Sequence, residues 1–175
     1  MTRRVPAFAV VGYKNSGKTT LVAKLVAGLT QLGYRVGTCK HDGAHELRLD
    51  AEGTDSSKHR GAGADVVLVA GRTEAFWQRT YREEPPLDAW LEQLSDPALG
   101  LDVIVVEGWK RSDLSKIVLP SAEKLEQLSN VLAYAVESSR PPIADEGAGV
   151  YDREDVEGLI HMILARVLRN APPSH

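Results

Sequence analysis

Residues Ala7–Leu21 read AFAVVGYKNSGKTTL, and this stretch decides the fold. Ala7–Val11 is a continuous apolar run ending on Gly12, the pattern of a strand covered on both faces. A polar turn follows. From Lys18 to about Leu32 the residues Leu21, Val22, Leu25 and Leu29 recur at helical spacing, with Gly33 placed for a C-cap. Strand, turn and helix in that order satisfy GxxxxGK followed by Thr, over Gly12–Thr19. Gly12 and Gly17 permit turns closed to other residues, so that successive N–H groups and the helix N-terminus face an anion. Lys18 then supplies a point charge for the β- and γ-phosphates, and the Thr19 hydroxyl a ligand for Mg²⁺.

Working outward, Tyr34–Cys39, Asp65–Ala70, Leu101–Val106, Ile117–Leu119 and Val131–Val136 read as further strands. Pro85 and Pro86 open a helix running to about Leu94, and Asp152–Arg169 carries Val156, Leu159, Ile160, Ile163, Leu164 and Val167 on one helical face. The alternation predicts an α/β fold, a mostly parallel β-sheet flanked by helices, as in P-loop NTPases. The chain reads as one nucleotide-binding domain over 1–175, with a frayed tail at 170–175. His41–Asp55 and Ser138–Tyr151 lack period and read as loops.

Composition narrows the partners. With 21 basic and 24 acidic residues in 175, a net charge of -3 and no basic block, nothing marks a nucleic-acid or anionic-membrane surface. No run approaches the roughly twenty apolar residues of a membrane span. VPAFAVVG after Arg3 and Arg4 is too short for an export signal, and the single Cys39 has no partner for an internal disulfide; a cytoplasmic location is expected.

Two other stretches carry candidate chemistry. Val103–Val106 ends on Glu107 and Gly108, which puts the carboxylate at the strand edge where ligands bind in open α/β sheets. Asp102 lies at the wrong end of that strand. KHDGAHELRLDAEGTDSSKHRGAGAD, Lys40–Asp65, gathers His41, Asp42, His45, Asp50, Asp55 and His59. Its spacing with Cys39 matches no compact zinc motif. A switch-like loop fits better, with Asp42 holding a Mg²⁺-bound water.

Together GYKNSGKTTL, the Lys40–Asp65 segment and VIVVEGWK (Val103–Lys110) resemble the molybdopterin-guanine dinucleotide biosynthesis protein B family, MobB. The similarity runs from about Ala7 to Lys110. Its specific part is the spacing of His41, His45, Asp50, Gly53, Asp55, Ser56 and His59 before GAGA. The resemblance implies a homodimeric GTP-binding protein with slow GTPase activity, of the simibi class, using GTP and Mg²⁺. It implies a role beside the MobA-like nucleotidyltransferase that joins GMP to molybdopterin, with molybdopterin itself a candidate ligand. By the same resemblance Gly12, Asn15, Ser16, Gly17, Lys18, Thr19 and Thr20 form the nucleotide loop. Thr19, Asp42 and Glu107 surround Mg²⁺, and Lys18, Glu107 and Asp42 act in hydrolysis.

Two departures stand out. Tyr13 occupies the position where some relatives in the wider class carry a second lysine, and no NKxD string is present, which leaves base choice to the region Glu137–Pro142. Two other functions stay open on the sequence: a small-molecule kinase with Arg72, Arg79 and Arg82 on a lid, and a nucleotide-switched binding module without relevant catalysis.

Overall fold

The computed structural model describes residues 4–42, 53–120, 128–137 and 147–174. In chain order the elements are β1 (Ala7–Gly12), α1 (Lys18–Gln31), β2 (Val36–Lys40), α2 (Asp55–Gly61), β3 (Val66–Ala70), β4 (Ala75–Arg79), α3 (Leu87–Leu94), β5 (Val103–Glu107), β6 (Ser115–Leu119), β7 (Val131–Val136), β8 (Gly149–Asp152) and α4 (Val156–Arg166). They divide into two compact units, the first built from residues up to 41 and from 87 onward, the second from 42–86.

The first unit holds a six-stranded sheet in the order β2-β5-β1-β6-β7-β8, with every neighbouring pair parallel. Alternate side chains feed two cores, as the period of a strand requires. Phe8, Val10, Val103, Val105, Ile117 and Ala133 pack with Leu21, Leu25 and Leu29 of α1 and Leu159 and Ile163 of α4. Ala9, Val11, Ile104, Val106, Val118 and Tyr134 pack instead with Leu87 and Leu91 of α3. The α/β fold with helices on both faces of a parallel sheet is therefore the one expected from sequence.

Differences lie where the pattern was weak. Asp65–Ala70 does not join the parallel sheet; β3 pairs antiparallel with β4 in a two-stranded sheet of the second unit. Of the three arginines offered for a lid, Arg79 closes the second strand of that hairpin with its guanidinium 5.0 Å from the Tyr81 ring centre, while Arg72 lies between the two strands and Arg82 beyond them. Tyr151, read as loop, and Asp152, read as the helix start, belong to β8, and α4 begins four residues past Asp152. Near the C-terminus Tyr34 donates its hydroxyl to the Ala171 carbonyl at 2.8 Å and the Ser174 N–H donates to Asp102. His45, Asp50 and the loop residues 138–142 lie outside the described residues. Among the described residues no helix is long and apolar enough to cross a membrane.

One buried charge sits at the opposite edge of the sheet from the glycine loop. Lys116 of β6 is fully buried, and its ammonium donates to the carbonyls of Ser112, Leu114 and Ser129 at 2.5–2.9 Å. Burial lowers its pKa below the ordinary lysine value, opposed by the charge of Asp113. Lys116→Met keeps the stem and removes the donors. A buried acceptor left unpaired costs about 1–3 kcal/mol, so the variant is expected to lose at least about 2 kcal/mol in urea unfolding at unchanged m-value.

Candidate functional site

The end of β1 cannot carry a side chain. A Cβ on Gly12 would meet the Ser16 hydroxyl at 2.7 Å and the Leu119 carbonyl at 2.8 Å, and backbone cannot give way. Past it the chain turns tightly, with the Ser16 N–H bonded to the Tyr13 carbonyl and Asn15 in the left-handed region at φ 62°. Gly17, at φ 88°, is the N-cap of α1 and offers no capping side chain, so the first N–H groups of the helix stay available to an anion. Lys18 folds back and donates to the Tyr13 carbonyl. Among the described residues the buried Ser16 hydroxyl has no hydrogen-bond partner.

The acidic partner comes from across the sheet. Glu107, the last residue of β5, is 7 % exposed, and its Oε1 accepts the Thr19 hydroxyl at 2.8 Å. The same oxygen lies 3.5 Å from the Lys40 ammonium at the end of β2. Burial pushes the Lys18 ammonium below the ordinary lysine range; the Glu107 carboxylate pushes it back up and the Lys40 charge pushes it down. After Glu107 the chain takes two left-handed residues, Gly108 at φ 103° and Trp109 at φ 47°. Trp109 holds this turn by packing its ring on His41, the centroids 4.7 Å apart.

Sequence-expected residues thus fall into two groups. Gly12, Asn15, Ser16, Gly17, Lys18, Thr19, Thr20 and Glu107 lie within the first unit, on the edge formed by the C-terminal ends of β1 and β5. Asp42 is exposed and begins the second unit. His41 serves as a packing partner of Trp109. Cys39 is half-buried and its thiol is pushed up to about 11 by burial, which disfavours the thiolate a zinc site needs. Among the described residues no group of three or more His, Cys, Asp or Glu is placed to hold a metal ion.

Two residues escaped the sequence reading. Lys40 reads as an ordinary lysine at a strand end, and its position opposite Glu107 follows only from the β2–β5 register. Arg153, just past β8, pairs with Glu137 at the end of β7 and borders a cleft of about 90 Å³ with Gly17, Thr20 and Leu119.

The pairing of Thr19 with a nearly buried carboxylate fits Mg²⁺. That ion takes hard oxygen ligands, keeps several waters and needs only one or two protein groups. The orphaned Ser16 hydroxyl and the open helix N-terminus fit phosphate.

Residues 7–137 match the model of the family described as molybdopterin guanine dinucleotide synthesis protein B, MobB. The chain belongs to the MobB family. A molybdopterin-guanine dinucleotide biosynthesis adapter protein of Escherichia coli is 32% identical over 166 residues, covering 91% of this chain and 92% of its own. One of Haemophilus influenzae is 33% identical over 136 residues, 78% of this chain and 75% of its own. Among solved structures, the MobB homologue of Bacillus stearothermophilus superposes with a TM-score of 0.69 at 29% identity, covering 94% of this chain and 99% of that one. Bacillus subtilis MobB gives 0.74 at 26% identity, covering 93% and 98%. The MobB match and these structures are consistent with a P-loop NTPase fold.

The lowered Lys18 pKa has a pH consequence. Its ammonium loses its proton at a lower pH than a free lysine, and anion binding favours the protonated form. Phosphate-group affinity should therefore fall as pH rises, starting below 10.5, the ordinary lysine value. In calorimetric titrations Lys18→Ala is expected to abolish both the binding and this alkaline limb.

Proposed function

We propose that this chain binds GTP with Mg²⁺ on the Gly12–Thr20 loop, hydrolyses it slowly, and acts as a homodimeric adapter. Its partner would be the MobA-like nucleotidyltransferase that attaches GMP to molybdopterin. The role in molybdenum-cofactor biosynthesis is supported by the family and by relatives named as adapter proteins of that process. The observation that carries the nucleotide reading is the Thr19–Glu107 contact at 2.8 Å beside an unobstructed helix N-terminus.

In this reading the loop N–H groups cradle the phosphates and Lys18 draws charge from the β- and γ-phosphates. Mg²⁺, when bound, would supply further neutralisation of phosphate charge. Thr19 and Glu107, which meet in the first unit, would hold the ion. A water oxygen forms the new bond to the γ-phosphorus as the bond to the bridging oxygen breaks, releasing GDP and phosphate. Turnover without an arginine on the γ-phosphate is slow, and slow hydrolysis is expected here. Glu107→Gln should lower single-turnover hydrolysis at least about tenfold, or about 1.4 kcal/mol in the barrier. Wild-type rates in that variant would remove Glu107 from the chemistry.

Guanine selection falls to Glu137. Guanine presents two N–H groups on its pairing edge and a carboxylate accepts both, whereas adenine presents an acceptor beside its amino group. Glu137, held by Arg153 at the edge of the cleft, offers such a carboxylate. Parallel calorimetric titrations are expected to show GTP preferred over ATP by about tenfold or more, about 1.4 kcal/mol, and Glu137→Ala to narrow that preference. Equal affinities in the wild type would contradict the guanine assignment and favour the kinase reading.

The second unit supplies the surface for self-association. In β3–β4, Leu68 stands opposite Trp77, exposed by 66% and 54%. The other face of the hairpin is held to α2 by Arg60 bonding Gln78, and Val67 is buried there. A two-stranded sheet is marginal without cover, and its open apolar face fits a second copy of the chain. Leu68→Lys is expected to shift sedimentation from dimer to monomer while nucleotide affinity is kept.

A further inference from the structure

Lys40 closes β2 and is the Cα partner of Glu107 in the parallel ladder. Its ammonium lies 3.5 Å from the carboxylate oxygen that also accepts the Thr19 hydroxyl. The two partners differ in freedom. The Lys40 side chain is 54% exposed and carried on a flexible four-carbon stem, while the Glu107 side chain is 9% exposed and fixed at its strand end. Lys40 is also close enough for its charge to act on Lys18. The loop edge therefore sets one nearly buried carboxylate beside the Lys40 ammonium and within the electrostatic reach of Lys18.

A cation entering at Thr19 and Glu107 changes that balance. Glu107 then faces a divalent charge, and Lys40 is the neighbour free to leave. An ammonium repelled from one site is drawn to a nearby excess of negative charge. A nucleoside triphosphate bound at this loop stays net negative beside one divalent ion and one ammonium, and its terminal phosphate is the group that a diphosphate lacks.

We propose that Lys40 reads the terminal phosphate: on binding of the Mg²⁺–nucleotide its ammonium passes from Glu107 to the γ-phosphate, and the chain thereby distinguishes a triphosphate from a diphosphate. The inference rests on the nucleotide reading above and adds a residue and a selectivity to it. No bond is made or broken in this exchange; one ion pair replaces another. Lys40 lies two residues before Asp42, where the second unit begins, so the phosphate is read at the chain's exit from the sheet.

The test is isothermal titration of GDP and of the hydrolysis-resistant β,γ-imido analogue of GTP, both with Mg²⁺, against the full-length wild type, Lys40→Met and Lys40→Arg. Lys40→Met is expected to lose about tenfold or more in affinity for the triphosphate analogue and no more than about threefold for GDP, the larger loss being about 1.4 kcal/mol. Lys40→Arg, which keeps the charge, should retain most of the triphosphate preference. Equal losses for the two nucleotides, or none, would overturn the assignment while leaving the nucleotide site in place. A wild-type chain that binds neither nucleotide would overturn both. Thermal melting of Lys40→Met at the wild-type temperature would show that the loss is not one of folding.

Discussion

The parallel registration of β5 with both β1 and β2 is the constraint on which the rest depends. It sets Glu107 opposite Val10 on one side and Lys40 on the other, at the edge where β1 runs into the glycine loop. A slip of one residue would send every side chain of β5 to the other face, exchanging Val103 and Val105 with Ile104 and Val106 between two differently shaped cores and turning Glu107 away from Thr19. Packing thus fixes the electrostatics. The two apolar cores hold the strand in a single register, and the carboxylate position follows from it.

Holding a carboxylate that is almost buried costs solvation, which must be recovered through partners. The Thr19 hydroxyl and the Lys40 ammonium recover part of it. The turn after β5 adds strain, since left-handed backbone at a residue such as Trp109 costs on the order of 1–3 kcal/mol and persists only when its surroundings over-determine it. The His41 ring supplies that surrounding contact, and a Cβ on Gly108 would lie 3.1 Å from the His41 Cβ. The result is a fixed hydroxyl–carboxylate pair, with a more exposed ammonium beside it, next to a helix N-terminus.

Most of this scaffold was legible in the sequence. Runs such as AFAVVG and VIVV (Val103–Val106) are apolar without interruption because both faces of their strands are covered, and the GxxxxGK spacing located the loop. Glu107 could be singled out because it follows such a run directly. The second unit was not legible. α2 reads DSSKHRG and has no buried residue, so no periodicity marks it, and β4 is five residues with Arg79 in a stretch rich in charge. β8 was hidden because GVYD is short and closes a proline- and glycine-rich segment. Lys40 and Arg153 were missed for another reason: a lysine or arginine at a strand end is ordinary until the sheet order shows what stands beside it.

The central claim is that the glycine loop and Glu107 form one Mg²⁺–nucleotide site. Phosphorus NMR of GTP bound to the protein tests it directly when a trace of Mn²⁺ replaces Mg²⁺, because the paramagnetic ion broadens only the phosphates beside it. The account predicts selective broadening of the bound β- and γ-phosphate resonances in the wild type, strongly reduced in Thr19→Val. Bound GTP whose β and γ resonances stay sharp, or broadening unchanged by Thr19→Val, would contradict it.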